Sequence, residues 1–480
     1  MNKIVLIASV LLLCFGCSVG PDYEKPLIYS DKKTAVNLGL QEKKTYKINP
    51  QWYKIFNDDD LNRLIELGLA NSPNIHTAIE NLKQARYKLY IDRAGYLPIF
   101  DAKGSYDKSN QNLISPNDYY QVGVDASWEL DIWGGQRRLN ESAKAMLQAA
   151  AADFNNIKIT LISEIAMQYI NWRLIEKQLQ ITIENLQLQK DIFSTVEDKY
   201  NAGLADDLAY EQAKSVVKMT EMQIPQLKIQ EKAYQNALAV LIGKLPSDIA
   251  FAGKNPVETK PDFDINQLYN LSVEVIRNRP DVVMAERKLA AENALIGKAV
   301  ADLFPSISLS SFLGFQNNTL SPIFAPDYNI YSLGTVVNLP LLHWGELVNQ
   351  VKIQESATKQ AFVLYQSSLL TAITDVSNAI KSMEEENKRN KYAFENMKSM
   401  ISILQLSKQK YDTGLIDFSD ISTAEQNKLS AEQNYLQSNA EIYFNIIRFY
   451  KAVGGGYSIN HNIPACQTDE TTSACEPYKD

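Results

Sequence analysis

The chain has no basic surplus. Across 480 residues, 48 Lys and Arg stand against 56 Asp and Glu, a formal net charge of −8. Nucleic acid needs a basic face, so the balance argues against that partner. Histidine is scarce: His76, His343 and His461 are scattered and supply no cluster of metal ligands. There is no nucleophile–base set, phosphate-cradling glycine loop or metal-ligand spacing, so neither catalysis nor a cofactor is expected. With 20 Gly and 17 Pro, breakers are few for this length, while Ala, Gln, Asn, Lys, Glu and Leu abound. Such a mixture favours long helices over a compact α/β globule. Long apolar runs are also missing, except at the start. There "IVLIASVLLLCFG" follows Lys3, too short for a confident span and suited to a secretory signal.

That run ends at Gly16-Cys17, which resembles a bacterial lipoprotein signal. Cleavage of residues 1–16 leaves Cys17 as an acylated N-terminus anchored in a bilayer. Leu13 lies one place further from Cys17 than in the usual signal, and an ordinary cleaved leader is the alternative. Ser18, where an Asp would retain the protein at the inner membrane, resembles the outer-membrane choice. Cys466 and Cys475 lie in "PACQTDETTSACEP", a short polar stretch. In an oxidising periplasm such a close pair reads as a disulfide sooner than as a metal site.

The chain is internally duplicated. "LANSPNIHTAIENLKQA" (69–85) matches "IRNRPDVVMAERKLAAE" (276–292), and "AGYLP" (94–98) matches "ADLFP" (301–305). "ELDIWGGQ" (129–136) matches "PLLHWGEL" (340–347), and "KYNAGL" (199–204) matches "KYDTGL" (410–415). Pro73 to Pro280 is 207 positions and Tyr200 to Tyr411 is 211, so the offset is nearly constant. The expected layout is a signal (1–16), an N-terminal segment (17–57), a first repeat (58–250), a linker (251–264), a second repeat (265–456) and a tail (457–480). Each repeat holds a helix pair, a β-hairpin (about 99–131 and about 305–340) and a long helical hairpin (about 136–243 and about 345–453). The descending helix of each hairpin is expected to run about sixty residues and the returning one about forty, the longer spanning about 90–100 Å. Asp58 to Asp60 read as a capping cluster. Phe362, Tyr365, Leu369, Ala372, Val376, Ile380 and Met383 step by three or four, a seam of coiled-coil type.

"YQVGVDASWELD" alternates without a break. Tyr120, Val122, Val124, Ala126, Trp128 and Leu130 form a greasy face; Gln121, Gly123, Asp125, Ser127, Glu129 and Asp131 form a wet one. Ile307, Leu309, Leu313 and Phe315, then Tyr331, Leu333, Val337 and Leu339, repeat this more weakly. Either a periplasmic sandwich or an outer-membrane barrel fits the pattern. Four strands cannot close a barrel alone, since single-chain barrels start at about eight strands. An open sheet would leave unpaired edges in lipid. Either the strands are soluble or several chains pool them.

In this order, "CSVGPDYEKP" (17–26), "WYKIFNDDDLNRLIELGL" (52–69) and the duplicated "YNAGL" and "YDTGL" turns resemble the TolC-like outer membrane factors, specifically the lipoprotein branch serving RND-type efflux pumps. The likeness runs over essentially the whole mature chain. It implies a mainly α fold with a small β part: a homotrimer whose twelve strands form one outer-membrane barrel above a periplasmic helical tunnel. It further implies passive export of small molecules from an inner-membrane RND-type transporter through a periplasmic adaptor. On this resemblance Gly203, Leu204, Gly414 and Leu415 are adaptor-contact tips, and Asp420 is an inward-facing aspartate at the periplasmic gate. A second gate aspartate, common three residues on, is replaced by Thr423. Asp206, Asp207 and Asp417 read as helix caps. A type I protein-secretion duct, or a non-channel periplasmic coiled-coil lipoprotein, are the alternatives.

Overall fold

The computed structural model describes residues 18–28, 48–109, 117–248, 256–258, 261, 263, 273–321, 323–457, 464–466 and 475–477. Cys17, the signal, His461 and most of the expected linker lie outside them. In chain order the elements are α1 (Asp59–Asn71), α2 (Pro73–Ala94), β1 (Ile99–Ser109), β2 (Asn117–Glu129), α3 (Gly135–Asn201) and α4 (Asp207–Leu241). They repeat as α5 (Val273–Arg277), α6 (Pro280–Ala301), β3 (Ser306–Asn317), β4 (Asn329–Asn338), α7 (Glu346–Asp412) and α8 (Phe418–Ala452), before the short β5 (Pro464–Cys466) and β6 (Cys475–Pro477). The descending helices α3 and α7 are each 67 residues, and the returning helices α4 and α8 are each 35. Against the expected sixty and forty, the first pair is longer and the second shorter. No helix among the described residues is long and apolar enough to cross a membrane.

The chain divides into two compact units. One comprises Met1–Ile28, Asn81–Ala151 and Val283–Ser367. Its sheet runs β1-β2-β3-β4, antiparallel throughout. The register sets Val122 opposite Phe315, Val124 opposite Leu313 and Trp128 opposite Leu309, so the greasy sets of neighbouring strands share one face. On β4, Tyr331 and Leu333 of this set are 84% and 82% exposed. The wet face pairs Lys103 with Asp125 at 3.5 Å. It also holds an aromatic ring that alternation does not foretell. Phe312, opposite Asp125, is buried because its ring lies diagonally over Gly123 and Gly314, which face each other across β2 and β3.

In the same unit, residues 18–28 lie along α3 and α6. Val19 donates its backbone N–H to the Trp133 carbonyl at 3.0 Å. The buried Arg138 guanidinium donates to the carbonyls of Val19 and Gly20 and to the Asp22 carboxylate. Tyr23 donates its hydroxyl to Glu286, which Arg287 also holds.

The other unit comprises Tyr29–Glu80, Ala152–Val282 and Ser368–Asp480. The seam on α7 is buried at Leu369, Ala372, Val376, Ile380 and Met383 in this unit, and at Tyr365 in the stretch of α7 that belongs to the first. Phe362 is a correction: it is 37% exposed, and Ala361, four residues before Tyr365, takes the buried position at 8%. Asp58 caps α1, accepting from the Leu61 N–H at 2.9 Å. Its second oxygen accepts from the Tyr169 hydroxyl at 2.7 Å, and the buried Arg173 donates to Tyr169, Glu176 and Asp60. Arg173 also lies 4.6 Å above the Trp172 ring. Removing a buried cation strands its anions. Arg173→Met is therefore expected to lower unfolding stability by about 3 kcal/mol, read by chemical denaturation with a helical signal.

Candidate functional site

Both long hairpins turn by the same device. At the first, the Leu204 N–H bonds to the Lys199 carbonyl at 2.8 Å and the Gly203 N–H to that of Tyr200 at 2.9 Å. At the second, Leu415 bonds to Lys410 at 2.9 Å and Gly414 to Tyr411 at 3.1 Å. This paired closure of the last turn needs a left-handed residue, and Gly203 and Gly414 supply it at φ 73° and 74°. The leucine that follows faces solvent, Leu204 at 79% exposure and Leu415 at 74%.

The return helices start differently. Asp206 caps α4 with its side chain, accepting from the Ala209 N–H at 2.9 Å, while the neighbouring Asp207 accepts from the Tyr200 hydroxyl at 2.8 Å. Asp417 occupies the cap position of α8 but makes no side-chain cap bond. Below the turns the two hairpins share one apolar cluster: Ile192 and Val196 of α3, Ala213 of α4, Tyr411 of α7, and Phe418 and Ile421 of α8. Lys199 lies 4.2 Å above the Tyr411 ring, tying α3 to α7. The tips are therefore held side by side.

Asp420 lies in the first turn of α8, where a carboxylate is favoured by the helix dipole. It is exposed, as is Thr423 one turn on, whose hydroxyl donates to the Ser419 carbonyl at 2.7 Å. The opposite face, Ile421, Ala424 and Glu425, is buried.

Glu425 escaped the sequence reading, because one glutamate in a polar helix carries no mark of burial. It is 2% exposed and its Oε1 has no hydrogen-bond partner. Burial pushes its carboxyl up to about 7, against the opposing pull of Lys408 on α7 and Lys428 on α8. A raised carboxyl binds its proton more tightly when folded. Stability contributed by the neutral form is thus present below about pH 4.5 and is lost as pH rises through about 7. Glu425→Gln should remove that slope and gain about 2–3 kcal/mol over the native chain at pH 8, with little difference at pH 5, read by thermal unfolding across pH.

Among the described residues no group of three or more His, Cys, Asp or Glu is placed to hold a metal ion. His76 is exposed, and His343 faces Glu346 at 3.6 Å. The short sheet of β5 and β6 sets Cys466 opposite Cys475.

A family model described as "Outer membrane efflux protein" matches residues 64–244 and 271–455, one block in each repeat. The chain is similar to the cation efflux system protein CusC of Escherichia coli (strain K12), at 27% identity over 93% of this chain and 98% of that one. It is also similar to the solvent efflux pump outer membrane protein SrpC of Pseudomonas putida, at 26% over 94% and 98%. Among solved structures, the outer-membrane channel OprN matches with a TM-score of 0.82 at 27% identity, covering 92% of this chain and 99% of that one. The Campylobacter jejuni CmeC outer membrane channel matches with a TM-score of 0.83 at 26%, covering 92% and 96%. With matches in both repeats, and in the arrangement of strands and paired hairpins just described, the chain belongs to the outer membrane efflux protein family.

Proposed function

We propose that three copies of this chain form the outer-membrane exit duct of a tripartite efflux pump, passing small molecules that an inner-membrane RND-type transporter delivers through a periplasmic adaptor. The observation that carries the reading is the four-stranded sheet with β1 and β4 at its edges and one face of exposed apolar side chains. Such a sheet is stable in lipid only when its edges pair, and three copies pair them all into twelve strands. The twin tips then number six, a ring suited to adaptor hairpins, with Gly203 and Gly414 setting the turns and Leu204 and Leu415 making contact. Asp420 lines the aperture. Cys17 carries the lipid; the docked segment from Ser18 onward, held at Trp133 just past β2, supports an anchor beside the barrel's base. Cys466 and Cys475 bond to each other, since residues directly opposed in antiparallel strands lie within disulfide reach.

Planar-bilayer recording tests the duct. The purified protein should give discrete, long-lived currents, and a preparation without them would overturn the reading. Three Asp420 side chains around one axis narrow the aperture by their bulk, and their carboxylates favour cations there. Asp420→Ala should therefore raise conductance about two- to fivefold and reduce cation preference, with trimer yield unchanged. Unaltered conductance would remove Asp420 from the aperture.

A further inference from the structure

The two repeats carry the same tryptophan, yet among the described residues only the first has a side-chain partner. Trp133, just past β2, stacks on the Phe304 ring at 4.7 Å and donates its indole N–H to the Pro305 carbonyl at 2.8 Å. Phe304-Pro305 ends "ADLFP", the segment that leads from α6 into β3, and β3 is the strand that pairs with β2. A tryptophan of the first repeat thus closes over the strand entrance of the second.

Trp344 is its counterpart, 211 positions on and just past β4. It is 88% exposed. Its backbone takes φ 47°, a left-handed conformation that bulky residues rarely hold, and Trp133 is not among the positive-φ residues. The strand entrance that corresponds to Phe304-Pro305 is Leu97-Pro98, leading from α2 into β1. Leu97 is 66% exposed. Within the chain Trp344 and Leu97 belong to opposite edges of the sheet, β4 and β1. The relation that seats Trp133 on the second repeat therefore has no room to operate inside one copy. It operates between copies, where β4 of one meets β1 of the next as β2 meets β3.

We propose that Trp344 docks over Leu97-Pro98 of a neighbouring copy of this chain, its indole N–H donating to the Pro98 carbonyl, as Trp133 docks over Phe304-Pro305 within the chain. The inference rests on the trimeric reading and adds to it a named inter-copy anchor. Chemistry supports the match. Leucine in place of Phe304 keeps an apolar seat for the indole, and proline in both segments leaves the preceding turn and its carbonyl in the same place. Large aromatic side chains seated in such pockets dominate interface energies.

Disulfide trapping tests it in the full-length protein with Cys466 and Cys475 replaced by serine. Leu97→Cys combined with Trp344→Cys should yield covalent dimers and trimers under mild oxidation, whereas Phe304→Cys with Trp133→Cys should crosslink only within a chain. Trimers that form normally but give no product between 97 and 344 would overturn the docking and leave the duct intact. A protein that stays monomeric throughout would overturn both. As a second readout, Trp344→Ala should speed trimer dissociation in detergent about thirtyfold, with Trp344→Phe restoring most of the lifetime. An unchanged lifetime in the alanine variant would also overturn the proposal.

Discussion

Valine at position 314 is expected to abolish assembly. A Cβ there would collide with the Val122 carbonyl oxygen and lie 2.6 Å from the Gly123 Cα, with the Phe312 ring 2.8 Å away. Two of these obstacles are backbone in a paired strand, so neither can swing aside. The opposing glycine has the same difficulty: its Cβ would meet the Leu313 carbonyl and the Phe312 ring, each at 2.5 Å. The β2–β3 ladder would have to part or slip, and a slip of one residue exchanges the greasy and wet faces. We expect Gly314→Val to yield no heat-modifiable trimer on gels and no bilayer current, and to leave a pump-dependent host as drug-sensitive as a deletion strain. Gly104 has open space around its Cβ, so Gly104→Ser should behave as wild type. Normal trimers from Gly314→Val would show that the glycine pair does not set strand spacing.

A second large effect is expected at the opposite end of the long helices. Leu204→Asp with Leu415→Asp places acid on both turns without touching the bonds that close them, which are backbone to backbone. Both side chains are already in water, so folding, trimer yield and single-channel conductance should be unchanged. If the two leucines of each copy are the adaptor contacts proposed above, export should nevertheless fall to the level of a strain lacking the duct, because all six contacts of a trimer are lost at once. Either single change should cost less, since the untouched turn in each copy keeps three. Minimum inhibitory concentrations, together with adaptor pull-down, measure it. Full resistance in the double variant would dismiss these leucines as contacts.

Much of this arrangement could be read from the chain itself, and the reasons differ by element. The duplication was visible because turn chemistry is local: Gly-Leu after Lys-Tyr, or Trp-Gly before a helix, keeps its spelling wherever the backbone needs a left-handed residue. β2 was visible because twelve alternating residues admit one period. The extent of the long helices was less so, as a polar coiled coil gives no sharp ending until its glycine. What stayed hidden depends on neighbours distant in sequence. Arg173 and Arg138 look like any surface arginine until Asp60 or residues 19–22 are brought alongside. Phe312 breaks the alternation of β3 and makes sense only once Gly123 lies diagonally beneath it. Glu425 is buried on the same face of α8 as Ile421, which packs in the cluster shared with α3, α4 and α7, and no pattern within "ISTAEQNKLS" says which face that is.

Equal arms have an evolutionary corollary. Because α3 and α7 match at 67 residues, and α4 and α8 at 35, the two turns finish level and share the apolar cluster of Ile192, Ala213 and Ile421. A heptad inserted into any single arm would lift its turn by about 10 Å and uncouple it from its sibling. Viable changes of reach are thus confined to concerted gains or losses in all four arms, so descendants of this gene should vary in duct length by matched steps or not at all.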